Sequence, residues 1–130
     1  MRREEPIKIG VSGVRGIVGR TMTPQLAVHL ARAFATLCGQ GRVAVASDTR
    51  SSGPLLREAV LAGLQYSGLV PCDLGVVPTP TLQLVVRQLG MAGGIMITAS
   101  HNPAEWNGLK FVGSNGLFLS PFRSAHLMDT

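Results

Sequence analysis

Aromatic residues make up only 5% of this 130-residue chain, and its ten Arg and two Lys are spread along it without a cluster. Single-stranded nucleic acid is held by basic residues interleaved with aromatic stacking platforms, so a net charge of +5 gives no reason to expect a nucleic-acid partner. Long apolar runs are missing as well. Leu26 to Leu37 is interrupted by His29 and Arg32 and is shorter than the roughly 20 residues needed to cross a bilayer, so no membrane partner is expected. Cysteine is limited to Cys38 and Cys72, with no CxxC pair and no His at ligand spacing, which reads as two reduced packing residues. Acidic residues number seven, with no DxDxD run, too few and too scattered to build a hard-cation site of several carboxylates. The start, Met1 to Pro6, carries both charge signs and lacks the apolar core of a secretory signal, so a cytoplasmic location is expected.

Apolar side chains are plentiful, at 45%, and the positive mean hydropathy of +0.28 excludes a disordered chain. The length suits a single core. Ile7 to Val11, Arg42 to Ala46, Leu69 to Leu74 and Gly94 to Thr98 read as short buried strands. Between them lie three helical patterns. The first starts at Thr23-Pro24 and stops at Gly39, the second runs from Ser51-Ser52 to Gly68, and the third repeats the Thr-Pro cap at Thr79-Pro80 and ends at Gly90. Strands that are apolar throughout require cover on both faces. The pattern predicts an α/β fold, a three-layer α/β/α sandwich on a mostly parallel four-stranded sheet. Gly113-Ser114-Asn115-Gly116 signals a small β-hairpin after the last core strand, and Ser120-Pro121 opens a further helix.

In such sheets ligands bind beyond the carboxyl ends of the strands, and the segments expected there are rich in Gly and polar residues. Gly10, Gly13, Gly16 and Gly19 recur every third residue, which matches neither a dinucleotide fingerprint nor a P-loop. Arg15 among them provides a guanidinium fork where bare backbone lets a phosphate approach closely. The run Thr98 to Pro103 places Ser100 beside His101 and Asn102, and the residues alone leave two readings open: a nucleophile, or a cap on a helical turn over Pro103 to Trp106. A hydrolase triad is not supported, because the GxSxG elbow is absent. Lys110 lies close behind this run and could return to the same edge. Asp48 and Arg50 read as an ion pair within one loop.

Gly94 to Pro103, followed by Trp106-Asn107-Gly108-Leu109-Lys110-Phe111, strongly resembles the phosphoserine loop of the α-D-phosphohexomutase superfamily. Gly10 to Gly16 is similar to that superfamily's SGxRG motif, Ala46 to Arg50 to its GxDxR segment with Ala in place of the first Gly, and Val77 to Pro80 to its VxTP segment, in the same order. The resemblance implies domain I, an α/β/α domain on a mixed sheet spanning residues 1–130, with domains II to IV outside this sequence; the helix opened at Ser120-Pro121, with no stop signal before Thr130, is expected to be cut short. It implies a phosphoglucomutase or phosphomannomutase that interconverts hexose 1-phosphate and hexose 6-phosphate. A phosphoglucosamine mutase or a non-catalytic phosphate-binding module are the alternatives. Ser100 would bear the transferable phosphoryl group and, through it, supply this domain's only ligand to Mg²⁺. His101, Arg15 and Lys110 would join it in catalysis, with Ser12, Asn102, Arg15 and Lys110 binding phosphate. A hexose 1,6-bisphosphate would be the intermediate and activator. The implied partners are a hexose phosphate and the remaining domains.

A piece separated from such neighbours should expose apolar surface and self-associate, and should not turn over hexose phosphate even with Mg²⁺ and a bisphosphate. Light scattering showing a strict monomer at high concentration would contradict the first expectation, and turnover free of full-length enzyme the second.

Overall fold

In the computed structural model, which describes residues 8–9 and 13–128, the Thr23 hydroxyl accepts a hydrogen bond from the Leu26 N–H at 3.1 Å. With Pro24 in the first turn this starts α1 (Pro24–Cys38), and Gly39, at φ 85°, closes it. Two further helices stop, as the sequence indicates, near glycines in the left-handed region: α2 (Gly53–Tyr66) before Gly68 and α3 (Thr79–Gln88) before Gly90. Their starts differ from expectation. Ser52 flanks α2 without a side-chain cap bond, its own backbone being helical rather than extended, and its hydroxyl accepts from Asn107 Nδ2 at 2.8 Å. Thr79 lies inside α3 and Pro78 takes the cap position. The helix read at Ser120-Pro121 is α4 (Pro121–Met128), where the Ser120 hydroxyl accepts from the Arg123 N–H at 3.2 Å.

The strands are β1 (Lys8–Ile9), β2 (Gly13–Ile17), β3 (Arg42–Ser47), β4 (Val70–Val76), β5 (Gly93–Ile97) and β6 (Trp106–Gly113). They form one sheet in the order β1-β2-β6-β5-β3-β4. The class is the expected α/β, yet the sheet has six strands rather than four and is not mostly parallel. Only β3–β4 and β3–β5 pair in parallel, while β1–β2, β2–β6 and β5–β6 are antiparallel. Two misreadings account for this. Gly13 and Gly16 were expected in a loop but belong to β2, and the first arm of the expected hairpin is β6, a full member of the core sheet. The turn itself forms, with the Gly113 N–H donating to the Leu117 carbonyl at 2.8 Å.

Glycine in β2 and β6 has a packing cause. A Cβ on Gly108 would lie 2.5 Å from the Val14 carbonyl and 2.6 Å from Arg15 Cβ, and one on Gly13 would collide with the Leu109 carbonyl. The two strands approach too closely for side chains at these positions.

Helices cover both faces of the sheet centre. One core joins α1, α2 and α4 to Val14, Val43, Val45, Ile95, Ile97, Leu109 and Phe111. The other sets Leu82 and Val86 of α3 against Ala44, Ala46, Met96 and Val112. Cover fails at the β4 edge, where Val70 and Val76 are more than half exposed. Cys38 and Cys72 are free and half-buried, and burial pushes the Cys38 thiol up to about 11, which suits a packing role. Among the described residues no helix is long and apolar enough to cross a membrane.

Gly108→Ala should lower the unfolding free energy by ~1–3 kcal/mol, the usual cost of forcing extra volume into packed structure. An unchanged urea midpoint would contradict the close β2–β6 contact.

Candidate active site

Parallel pairing of β3 with β5, with Ser47 opposite Ile97, sets the loops that leave these two strands side by side. The Asp48 N–H extends the pairing by donating to the Ile97 carbonyl at 3.1 Å. Asp48 then acts as a two-sided acceptor. Its Oδ1 takes the Arg50 N–H at 3.1 Å and its Oδ2 takes the Thr98 hydroxyl at 2.6 Å. Thr98 Oγ1 in turn accepts the Ser100 N–H at 3.1 Å.

The Arg50 side chain lies across the neighbouring loop, with only 13% of it exposed. Nη2 donates to the carbonyls of Ser100 at 2.8 Å and Asn102 at 2.9 Å. Nη1 donates to those of Pro103 at 2.8 Å and Trp106 at 3.1 Å. Nε stands 3.4 Å from Asp48 Oδ2 in an ion pair and makes no hydrogen bond. The expected Asp48–Arg50 pair is therefore present, and the larger part of the arginine's work was not foreseen. Hydrogen bonds to a charged donor contribute about 1.5–3 kcal/mol each, so this grip outweighs the ~1–2 kcal/mol that a left-handed residue costs. Ser100 is that residue, with φ 55°, the only non-glycine at positive φ among those described.

Ser100 is exposed. It caps no helix, which removes one of its two readings: the Trp106 N–H closes a single turn onto the Pro103 carbonyl at 2.9 Å, and Trp106 opens β6. His101 is exposed and Asn102 half-buried in the same turn. Asn107, which sequence reasoning passed over, is fully buried. Its amide nitrogen holds Ser52, and its Oδ1 accepts the Gly108 N–H at 2.9 Å, tying α2 to the loop's return strand.

Arg15 and Lys110 form a second group. Arg15 pairs with Gly108 and Lys110 with Gly13 and Met96, so both stand on the sheet face that carries α3. They lie two and four residues from the strand ends at the Ser100 edge, about 7 and 14 Å of strand. The ammonium of Lys110 sits 5.5 Å from the Phe118 ring centroid. Burial first and the Arg15 charge second lower the Lys110 pKa from the ordinary lysine value. Neither cation pairs with an acid, and no hydrogen bond or ion pair joins the two groups, among the described residues. Ser12, with Gly10 and Val11, lies outside those residues. Among the described residues no three of His, Cys, Asp and Glu gather as metal ligands.

A family model described as phosphoglucomutase/phosphomannomutase, alpha/beta/alpha domain I, matches residues 6–129. A protein of Methanopyrus kandleri named probable phosphoglucosamine mutase is 50% identical over 112 residues, which are 86% of this chain and 25% of that one. The phosphoglucosamine mutase of Pediococcus pentosaceus is 46% identical over 118 residues, covering 85% and 26%. A crystal structure of a phosphoglucomutase/phosphomannomutase family protein from Burkholderia thailandensis superposes with a TM-score of 0.81 at 30% identity, over 93% of this chain and 29% of that one. The chain thus spans about a quarter of the length of the curated relatives it matches. The family match over residues 6–129 and the superposition together say that it belongs to the phosphoglucomutase/phosphomannomutase family, as that family's α/β/α domain I.

Proposed function

We propose that the full-length protein is a phosphohexomutase that carries its transferable phosphoryl group on Ser100 and acts on an aminohexose phosphate, glucosamine phosphate first. The observation that carries the phosphoserine reading is the exposed Ser100 in a strained turn whose N–H and carbonyl are both tied down. Support for the sugar comes from the names of the relatives, which favour what the sequence alone ranks as the alternative. Glucose and mannose phosphates, expected first from sequence, remain the second reading because the matched family model carries their name.

Phosphoserine brings a charge of about −1.5 to −2 and three strong acceptor oxygens. In the proposed transfer, a sugar hydroxyl oxygen bonds to phosphorus as the Ser100 Oγ–P bond breaks, and the proton displaced from the sugar returns to Oγ. The bisphosphorylated sugar then reorients and the reverse step restores phosphoserine. Such transfers need positioning and charge stabilisation above all. Arg15 and Lys110, two half-buried cations on the α3 face with no acid partner among the described residues, are proposed to meet the phosphoryl charge. His101 and Asn102 flank the serine, and Ser12 is proposed to join Arg15 in holding phosphate.

Magnesium fits this proposal only through Ser100. Asp48 has both oxygens engaged and Glu105, the other acid beside the loop, gathers with no further ligands among the described residues, so a phosphoryl oxygen on Ser100 would be this chain's ligand, with carboxylates from outside these residues. When bound, the ion supplies further neutralisation of phosphoryl charge. A hexose 1,6-bisphosphate would prime Ser100, and a cytoplasmic location belongs to the same proposal.

Phosphoglucosamine, glucose 1-phosphate and mannose 1-phosphate assayed side by side on the full-length protein should give the highest kcat/KM for the amino sugar. Ser100→Ala should abolish turnover on all three and remove phosphate from the Ser100 peptide; near-normal turnover would end the nucleophile reading. Arg15→Ala and Lys110→Ala should each lower kcat by roughly 10²-fold, and a change confined to KM would reduce them to ground-state binding. Removing the Arg15 charge also favours the Lys110 ammonium, so Arg15→Met should raise the Lys110 pKa in an NMR titration. An unmoved pKa would contradict their proximity.

A further inference from the structure

We propose that Arg50 is a positioning residue for phosphoryl transfer, one that fixes the direction of the Ser100 hydroxyl through the backbone and does not itself bind the phosphoryl group. The inference rests on Ser100 being the phosphoryl carrier. A guanidinium has five N–H donors. Four of the five point at carbonyls of residues 100, 102, 103 and 106, and the fifth faces Asp48. None remains for a phosphoryl oxygen. The positive charge nearest the serine is thus turned to its backbone.

The connection closes on itself. Arg50 holds the Ser100 carbonyl; Asp48 holds the Arg50 N–H and the Thr98 hydroxyl; and that hydroxyl holds the Ser100 N–H. Both peptide planes flanking the Ser100 Cα are therefore anchored, which maintains φ 55° and sets where Oγ points. In-line transfer is sensitive to such placement, since an error of about 1 Å costs on the order of 10²-fold in rate. Lysine cannot replace this arginine: an ammonium is a single point with three donors and cannot span four carbonyls. Charge is not what this position requires.

The test uses the full-length protein with phosphoglucosamine as substrate. Arg50→Lys, which keeps the charge, should lower kcat by roughly tenfold or more while KM shifts by less than about threefold. Amide exchange should quicken in residues 98–106 and stay unchanged in the core helices. Guanidinium ion added to Arg50→Ala should restore part of the lost kcat. Should the arginine variants fail to fold, Thr98 decides: Thr98→Val should show the same loss of kcat, and Thr98→Ser should recover most of it. Wild-type kcat in Arg50→Lys or in Thr98→Val would overturn the inference, as would a loss in Arg50→Lys expressed in KM alone. Ser100→Ala is run in parallel. If it is inactive while Arg50→Lys is normal, only the positioning role fails; if it retains turnover, the phosphoserine reading itself fails.

Discussion

Five N–H donors on one side chain decide the shape of the serine loop. A serine at φ 55° is disfavoured by its own sterics, and between the backbone bonds that tie Thr98 to Gly108 and Glu105 to Val18 the run Ala99 to Ala104 has only single-turn bonds to fix it. Arg50 substitutes for a ladder by gathering four carbonyls from seven consecutive residues. Without those acceptors a largely buried guanidinium would itself be costly, because buried charge needs pairing and hydrogen bonds. Each side of the contact therefore satisfies the other. The arrangement exists only because β3 and β5 are parallel neighbours in register, so that the loops leaving them run side by side.

The antiparallel half of the sheet supplies the other part of the proposed site. After the serine loop the chain returns as β6 beside β5, and β2 then packs on β6, which brings Arg15 and Lys110 onto one face. Burial first and the like charge of Arg15 second disfavour the Lys110 ammonium there. An anion placed between them would remove that cost. The glycines opposite them, Gly13 and Gly108, leave backbone where side chains would otherwise stand.

Much of this was legible in the residues. Thr23-Pro24 and Gly39 bounded α1 because a cap and a left-handed stop are local chemistry, and the apolar strands declared a sheet covered on both faces. What could not be read was pairing partner and direction, which depend on contacts far apart in sequence. β2 escaped notice because Gly13 and Gly16 look like loop residues until a closely packed neighbour strand explains them. Arg50 was readable only as half of an Asp48–Arg50 pair. A hint did exist: the loop Thr98 to Trp106 has Glu105 as its single acid, so an arginine with donors to spare beyond Asp48 had backbone carbonyls as its available acceptors. The candidate serine itself came from the length and specificity of a family motif rather than from any pattern of burial.

In the proposed arrangement Arg50 holds the Ser100 loop from the backbone side while the phosphoryl group is carried on the other. The most direct measurement is a crystal structure of the phosphorylated full-length protein. Electron density for a phosphoryl group on Ser100 Oγ, with the Arg50 guanidinium still on the carbonyls of residues 100, 102, 103 and 106, is the predicted result. A guanidinium turned away from those carbonyls onto the phosphoryl oxygens would contradict it.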